Sequence, residues 1–439
     1  MNALECLSRT ILLCRDYVPL SVSNEEILQH LQSVRILCVS DLANLSSHAG
    51  QVGAITLVSL LSRMGMQVYL SIPEVPLLYS QTPLSGASVR EALFGSSAKL
   101  IPGATVTRSA DSDVDVIFAL GDSAIENARA PIWRLNGSEW SGALALEGEI
   151  EPQRFLAEWP VGAMVSAALA AGEAFKFAMR GMPLEGPCAQ ELFEMCRSCH
   201  CEFDATPIPE NGVDFGDVDI ISGGAISQAT LYALLRLPHS RLSGRIFDDD
   251  DTEPSNLNRN MLTTIDDVWV KKVTVVERCC NPHLAIRGIG ERFDGKSAES
   301  GTLARRVIVG VDHIPSRWEV QRRAPGWLVV GATSHFNVSS SSHAPSEACC
   351  GCLHPIDEPD DQAAMPIPTV SFVSFWAGLV TAVRLIRECL GKPCPPERQQ
   401  LWMSPLRMDR SLAAWWMPVQ PSKNCPVQCL CGRAVTSRS

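Results

Sequence analysis

The sequence predicts an α/β fold in which two similar halves each contain a mainly parallel sheet. In each half a short β-branched run ends at a turn of small residues and leads into a helical pattern, at Val34–Ser40 and at Val218–Ile221. Such runs favour buried parallel strands. A second run follows each of them at a similar distance, at Val114–Leu120 and at Val307–Val311. We therefore expect the chain to repeat one structural plan.

Length and composition agree with a folded protein of more than one domain. The chain has 439 residues, of which 46% are hydrophobic and 19% are charged. Its formal net charge is −11 at pH 7. This balance lacks the positive field that binding to a phosphate backbone needs. Nucleic acid is therefore not expected as a partner.

The cysteines and the first residues indicate a cytoplasmic protein. The 17 cysteines are an odd number and include adjacent pairs such as Cys279 and Cys280, which favours a reducing compartment and some use in metal binding or chemistry. Charged residues interrupt the apolar stretch of residues 1–20, which we interpret as an amphipathic helix and not as a signal peptide. Residues 363–383 carry no charge, but prolines divide them, so we predict a loop leading into a buried helix and no membrane partner.

A small-residue apolar helix is predicted in each half, over Gly162–Met179 and over Val373–Ile386. Proline, glycine and cysteine collect in residues 183–211, where periodicity is lost. We place the boundary near residue 205, which gives domains 1–205 and 206–439. The first half has no phosphate-loop spacing after its first strand and is expected not to bind a nucleotide.

The turn after Val218–Ile221 is a candidate phosphate site. It comprises Ser222, Gly223, Gly224 and Ala225, small residues that let backbone N–H groups and a helix N-terminus approach phosphate oxygens. Two glycines in such a turn are also common without a ligand.

The next predicted strand, Gly244–Phe247, ends in four aspartates. A carboxylate at this strand tip, about 20 residues past the turn, is where α/β nucleotide folds hold ribose hydroxyls. Asp248 and Asp250 are the candidates, whereas Asp249 and Asp251 fit a solvated acidic loop.

Two cations follow this strand. Arg259 lies in the segment Ser255–Asn260, and Lys272 comes 13 positions later. Arginine offers a forked donor and lysine a point charge, so together they can neutralise a triphosphate.

In these residues the sequence resembles the ubiquitin-activating family in its ThiF-type form, which includes the adenylating enzymes for sulfur-carrier proteins. The resemblance covers residues 218–432, and its strongest element is Ser255–Arg259. It implies two Rossmann-like lobes, of which the first is a fused inactive partner. It also implies that Asp248 binds ribose and that Asn256, Arg259 and Lys272 contact phosphates.

Asp312, followed by Arg317, matches the family's D-N-x-x-x-R element, whose aspartate faces magnesium and the phosphates. His313 replaces the usual asparagine. By the resemblance, Arg259, Lys272 and Asp312 are the catalytic candidates. Without that context, Asp312 would be interpreted as a cap at a strand end.

The family also carries a structural zinc held by two cysteine pairs. Cys349 and Cys352 supply a C-x-x-C pair. Cys425, Cys429 and Cys431 compete for the second pair, and the sequence does not choose between them. Free thiols are the alternative.

Two departures from the family concern the glycine loop and the thioester. Ser222 and Ser227 stand at the outer glycine positions of G-x-G-x-x-G, and residues 353–372 lack the cysteine that carries a thioester in some members. Cys350 and whichever tail cysteine is left over from the zinc site are then the candidate nucleophiles. The alternatives are an enzyme that only adenylates and one whose product goes directly to a separate thiol acceptor.

The resemblance implies ATP, Mg²⁺ and structural Zn²⁺ as cofactors. It further implies activation of the C-terminus of a ubiquitin-like protein, with a conjugating-enzyme-like protein as a further partner. Arg9 or Arg15 would reach toward ATP. The rival functions are an NAD-dependent oxidoreductase, which would use the same turn and Asp248, and a non-catalytic scaffold that binds the modifier.

Overall fold

Two sheets form the framework of the protein in a computed structural model. The structure describes residues 1–430 except 109–112, 127, 204–206, 283, 295, 297–300, 357–366 and 411–412.

The first half contains the elements before residue 203. Its strands are β1 Arg35–Val39, β2 Gln67–Ser71, β3 Thr105–Arg108, β4 Val116–Leu120, β5 Ile132–Gly137, β6 Ser141–Leu146 and β7 Ser198–Glu202. Its helices are α1 Ala3–Cys6, α2 Ser8–Arg15, α3 Asn24–Ser33, α4 Leu42–Leu45, α5 His48–Arg63, α6 Val89–Leu100, α7 Val161–Arg180 and α8 Ala189–Leu192.

The second half contains the elements after residue 213. Its strands are β8 Asp214–Ile221, β9 Arg241–Phe247, β10 Ala285–Ile289, β11 Arg306–Val309, β12 Trp327–Ser334, β13 Asn337–His343, β14 Gln400–Met403 and β15 Ala414–Met417. Its helices are α9 Ala225–Leu234, α10 Lys272–Cys280, α11 Ile314–Arg322, α12 Cys350–Leu353 and α13 Ser371–Cys389.

The two sheets share one strand order. The first runs β3-β2-β1-β4-β5-β6-β7 and the second β10-β9-β8-β11-β12-β13-β14-β15. In each sheet the first five strands are parallel and the remaining ones antiparallel. The predicted α/β fold with two mainly parallel sheets is thus confirmed.

The strand order fixes where a ligand can bind. In the second sheet the chain moves outward from β8 to β9 and β10, then returns to β11 on the other side of β8. At such a switch point the two crossovers leave a crevice at the carboxyl ends of the strands. In this sheet the crevice lies between β8 and β11.

Four helices form the layer in which the halves meet. In the first half α5 packs on α7, in the second α9 packs on α13, and α13 also contacts α5 and α7. The approach of α9 and α13 depends on Gly378, because a Cβ atom there would lie 2.4 Å from Cβ of Ala229. Their side chains belong to one hydrophobic core that continues across both halves.

The apolar helices belong to this core. α7 is long and apolar enough to cross a membrane, but 94% of its apolar window is buried inside the molecule, as in the core helix of a soluble protein. Of the uncharged segment 363–383, residues 371–383 belong to α13, whose residues Ser371–Ile386 are buried, and residues 363–366 lie outside the described ranges.

One element differs from the prediction, and one prediction stays open. The single amphipathic helix predicted near the N-terminus is wrong, because α1 and α2 are two short helices separated by the fully buried Leu7. The predicted boundary near residue 205 falls between β7 and β8, at residues outside the described ranges. The division into domains 1–205 and 206–439 stays a prediction.

Candidate active site

A cavity of about 340 Å³ opens at the carboxyl ends of β8 and β11. Nearly all the residues predicted to bind the nucleotide line it, namely Ser222, Gly224, Ala225, Asp248, Asp250, Asn256, Arg259, Lys272 and Asp312. Gly223 is not part of the wall, but its N–H donates a hydrogen bond to Asp248.

Ser222 directly follows β8 and adopts a φ of +87°. Glycine takes this conformation readily, whereas a residue with a Cβ atom rarely does. The Ser222 hydroxyl holds the turn, since it accepts from Gly224 N at 3.1 Å and donates to Asp248 Oδ2 at 3.3 Å. The turn therefore keeps a glycine-like conformation although a serine replaces the family's outer glycine.

Asp248 sits at the tip of β9, where the ribose ligand is expected. Its carboxylate accepts hydrogen bonds from Gly223 N at 2.7 Å and from Asp250 N at 2.9 Å. Burial raises the pKa of Asp248, and the nearby Lys272 ammonium opposes that shift. The carboxylate is thus fixed in orientation beside residues 222–225, which we call the phosphate turn.

Lys272 begins α10 and reaches toward the cavity. Its Nζ lies 2.5 Å from Oδ2 of Asp250 and 3.9 Å from Oδ1 of Asp248. The Asp250 carboxylate is largely exposed, so its pairing with the ammonium is easily exchanged for another anion.

Arg259 lies on the loop after β9, with its guanidinium donating to Ser255 O and, at 2.8 Å, to Asn258 Oδ1. Burial lowers the pKa of Arg259 to about 10, and the positive charge of Arg9 adds to that shift. The group remains protonated at neutral pH. Two guanidinium groups facing one cavity create an anion-binding environment, because an anion between them relieves their repulsion.

Of the two N-terminal arginines, Arg9 is the one that lines the cavity. Arg15 instead donates to Asn24 Oδ1 at 2.8 Å and to Val22 O. The backbone of Arg9 contacts the segment before α13, since its carbonyl accepts from Thr369 N at 3.3 Å.

The remaining predicted residues lie in the cavity wall. Asp312 is exposed at the rim, and Arg317 behind it donates from Nε to Val311 O at 2.9 Å.

Asn256 and His313 in this wall also make hydrogen bonds within their own loops. Asn256 Oδ1 accepts from Glu253 N at 2.9 Å. His313 bonds Ser316 Oγ at 2.9 Å.

Four sulfur atoms cluster away from this cavity. Sγ of Cys349 lies 3.4 Å from Cys425 and 3.9 Å from Cys352, and Sγ of Cys429 lies 3.4 Å from Cys352 and 3.9 Å from Cys425. A tetrahedral zinc with Zn–S bonds of ~2.3 Å separates its sulfurs by ~3.8 Å. The cluster could therefore hold zinc, with Cys429 completing the set, while Cys431 lies outside the described residues.

Cys350 is a poor nucleophile in this structure. The residue is fully buried, its thiol donates to Arg317 O at 3.2 Å, and burial raises its pKa to about 12. Little thiolate would be present at neutral pH. The structure thus argues against the sequence-based choice of Cys350 for a thioester.

Gln228 is a site residue that the sequence reasoning missed. From within α9 its Nε2 donates to Gly223 O at 2.9 Å, and its Oε1 accepts from Leu262 N at 3.1 Å and Thr263 Oγ1 at 2.9 Å. It therefore ties the phosphate turn to the loop that carries Arg259. Its polar side chain did not mark it in the sequence, because α9 also contains Ser227 and Thr230.

Comparison with known families decides the assignment of the second half. Residues 243–427 match the ThiF family, and this range contains Arg259, Lys272, Asp312 and three of the four clustered cysteines. The second half carries a ThiF-family domain. Residues 33–188 match the BilD N-terminal domain. The ThiF match thus lies in the second half of the chain and the BilD match in the first.

Other similarities are more distant. A protein of Sinorhizobium fredii with the printed name "Uncharacterized protein y4jF" is 28% identical over 157 residues, which are 34% of this chain and 30% of that protein. The chain thus spans less than a third of that relative's length.

Two solved structures are 14% identical to this chain. "Crystal Structure of SeMet PaaA" has a TM-score of 0.35 and covers 46% of this chain and 64% of that one. "Crystal structure of E. coli MccB + MccA-N7isoASN" has a TM-score of 0.41 and covers 68% of this chain and 97% of that one. Similarity at this level is too low to transfer a reaction.

Proposed function

We propose that this chain is an ATP-dependent activating enzyme that adenylates the C-terminal carboxylate of a ubiquitin-like protein. The observation that carries the proposal is the convergence of Arg9, Arg259 and Lys272 on one cavity of a ThiF-family domain. This cavity also contains the N-terminal turn of α9 and the Asp248 carboxylate. Three cations, a helix N-terminus and a ribose-type carboxylate match the parts of a nucleoside triphosphate.

The reaction follows from this arrangement. A carboxylate oxygen of the modifier attacks the α-phosphorus, the bond from that phosphorus to the bridging oxygen breaks, and pyrophosphate leaves with the bond electrons. The product is an acyl-adenylate. No side chain has to act as general base, because a C-terminal carboxylate is already ionised at neutral pH.

Each residue has a distinct part in this proposal. Asp248 accepts hydrogen bonds from ribose hydroxyls, while Arg259 and Lys272 stabilise the negative charge that develops on the departing pyrophosphate. Mg²⁺ would enter with ATP, and Asp312, exposed at the rim, offers the oxygen ligand that this ion prefers. Zinc would bind the four cysteines as a structural ion and would take no part in the reaction.

The fate of the adenylate is the second element of the proposal. Because the Cys350 thiol is fully buried and donates to Arg317 O at 3.2 Å, we favour an enzyme that hands its acyl-adenylate directly to a thiol on another protein, such as a conjugating-enzyme-like partner, over a thioester on Cys350. A modifier bound to this chain through a thioester that Cys350→Ala abolishes would contradict this part alone.

Pyrophosphate exchange into ATP in the presence of the modifier tests the proposal. We expect modifier-dependent exchange in the native chain and a loss of about 100-fold or more in Lys272→Ala and Arg259→Ala. Lys271→Ala is the matched control. Lys271 directly precedes Lys272, but its ammonium donates to Asp249 O and pairs with Asp251 at 2.9 Å. It does not line the cavity.

The rival functions predict other results. Thermal stabilisation by NAD but not by Mg·ATP would favour an oxidoreductase. Modifier binding without any adenylate would favour a scaffold, for which the serines at the outer glycine positions are the motive. Full exchange in both Arg259→Ala and Lys272→Ala would show that these two side chains have no part in the reaction.

A further inference from the structure

Arg63, the last residue of α5 in the first half, makes its hydrogen bonds in the second half. Its guanidinium donates to three carbonyl oxygens of the loop after β9, at 2.5 Å to Leu257, 3.2 Å to Met261 and 2.8 Å to Thr263. The side chain is fully buried, and burial lowers its pKa to about 10. Burying this charge is costly, so its contacts need an explanation.

The three carbonyls belong to the loop that forms one wall of the ATP cavity. We call residues 254–263 the Arg259 loop, because Arg259, together with Asn256, lines the cavity from it. Leu257 directly follows Asn256, and Met261 and Thr263 come just after Arg259. The Arg63 guanidinium therefore spans the loop on both sides of Arg259.

Two further contacts show that this loop is held from several directions. Gln228 ties its far end to the phosphate turn through Leu262 and Thr263, and Asn258 donates from Nδ2 to Thr10 Oγ1 at 2.9 Å. Arg63 alone bridges both flanks of Arg259 among these contacts. A planar guanidinium suits this task, because it offers several donors in fixed directions.

A matching contact runs in the opposite direction. Arg236, just after α9 in the second half, donates at 2.7 Å to the carbonyl of Thr82, which lies in the first half on the loop after β2. Arg236 is also buried, and burial lowers its pKa. Since α5 and α9 follow the first strands of their sheets, and β2 and β9 are the second strands, the two arginines occupy equivalent places in the repeated plan.

We propose that Arg63 is a positioning residue through which the first half holds the Arg259 loop, and with it the Arg259 side chain, in the geometry that binds ATP. This inference rests on the proposed function for its nucleotide. Besides Arg9, which lines the cavity, it gives the first half an indirect part in ATP binding. Arg236 is its counterpart from the second half, and it contacts the loop after β2 in the half that is expected not to bind ATP.

Hydrogen exchange and ATP kinetics on Arg63→Met, with Arg236→Met as the matched control, test this inference. In Arg63→Met we expect faster exchange of the Leu257, Arg259, Asn260 and Thr263 amides, and a KM for ATP on the order of tenfold higher. In Arg236→Met, which also removes a buried guanidinium that reaches the other half, we expect native exchange in this loop and a KM within about twofold.

Arg63→Lys keeps the charge but cannot span three carbonyls, so we expect an intermediate KM. If Arg63→Met does not fold, Arg63→Lys against Arg236→Lys carries the same comparison. Native loop exchange and a native KM in a folded Arg63 variant would overturn the inference, as would equal effects in the two arginine variants. Fast loop exchange in a protein that never binds ATP would instead reject the proposed function and leave the positioning role in place.

Discussion

At the scale of single residues, a buried ion pair stabilises the first half. On α7, Lys176 Nζ lies 2.6 Å from Glu173 Oε1 and 3.0 Å from Cys196 Sγ, and Glu173 Oε2 accepts from Cys196 N at 2.9 Å. Cys199 lies close by, so this group resembles a metal site in composition. The Lys176 ammonium already bonds two members of this group, and its positive charge disfavours a metal cation beside it.

Lys176→Met should lower the free energy of unfolding by about 3–5 kcal/mol, because it leaves the Glu173 carboxylate buried without its partner. Urea unfolding measures the loss. The double variant Glu173→Leu/Lys176→Met should be the more stable of the two, since it removes both charges. A single variant that loses less than about 1 kcal/mol would show that the pair is not buried as described.

The pKa of Asp248 leads to a prediction for pH dependence. Burial raises this pKa, so the carboxylate takes up a proton at a higher pH than an ordinary aspartate. A protonated Asp248 accepts fewer hydrogen bonds from ribose, and the affinity for Mg·ATP should therefore fall as the pH drops through this raised pKa. Calorimetry across a pH series measures the slope.

Asp248→Asn is the control for this slope, because its side chain does not titrate. Its affinity should be lower at neutral pH and should change less with pH, and what slope remains belongs to ATP itself. The same slope in the native chain and in Asp248→Asn would contradict a role for this carboxylate.

At the scale of elements, the cysteine cluster joins α12 to the C-terminal segment. Cys349, Cys352 and Cys425 are buried in a small cluster of their own with Val419, separate from the main core. A region with so little hydrophobic contact gains stability from a metal that crosslinks it. The sequence predicted the first pair from its spacing but left the second open, because the approach of residues so far apart in the chain is a tertiary property.

Zinc analysis of cysteine variants tests the choice of ligands. We expect about one zinc per chain by mass spectrometry, loss of zinc in Cys429→Ala and retention in Cys350→Ala and Cys431→Ala. Loss in Cys431→Ala together with retention in Cys429→Ala would reverse the assignment of the fourth ligand.

At the scale of the whole molecule, the two halves share a strand order but differ at the crevice. At the carboxyl ends of β1 and β4 in the first half, the buried Asn44 donates to Asp41 Oδ1 at 2.9 Å and to Asp122 Oδ1 at 3.2 Å. Asp122 also pairs with Arg154 at 2.7 Å. Two carboxylates at this place disfavour a phosphate. That the first half binds no nucleotide stays a prediction.

Most of the correct predictions came from local patterns in the sequence. Strand runs, apolar helices and the order of Asp248, Arg259 and Lys272 along the chain depend on near neighbours, and the sheets and the cavity agree with them. Arg63 and Gln228 gave no such signal, because their importance depends on which distant carbonyls they reach. The same limitation explains why Arg9 and Arg15 could not be separated by sequence alone.

Titration of Mg·ATP into the purified chain by calorimetry tests the central claim most directly. We expect one binding site per chain, much weaker binding in Lys272→Ala and native affinity in Lys271→Ala. Absence of binding in the native chain, or two equivalent sites per chain, would contradict it.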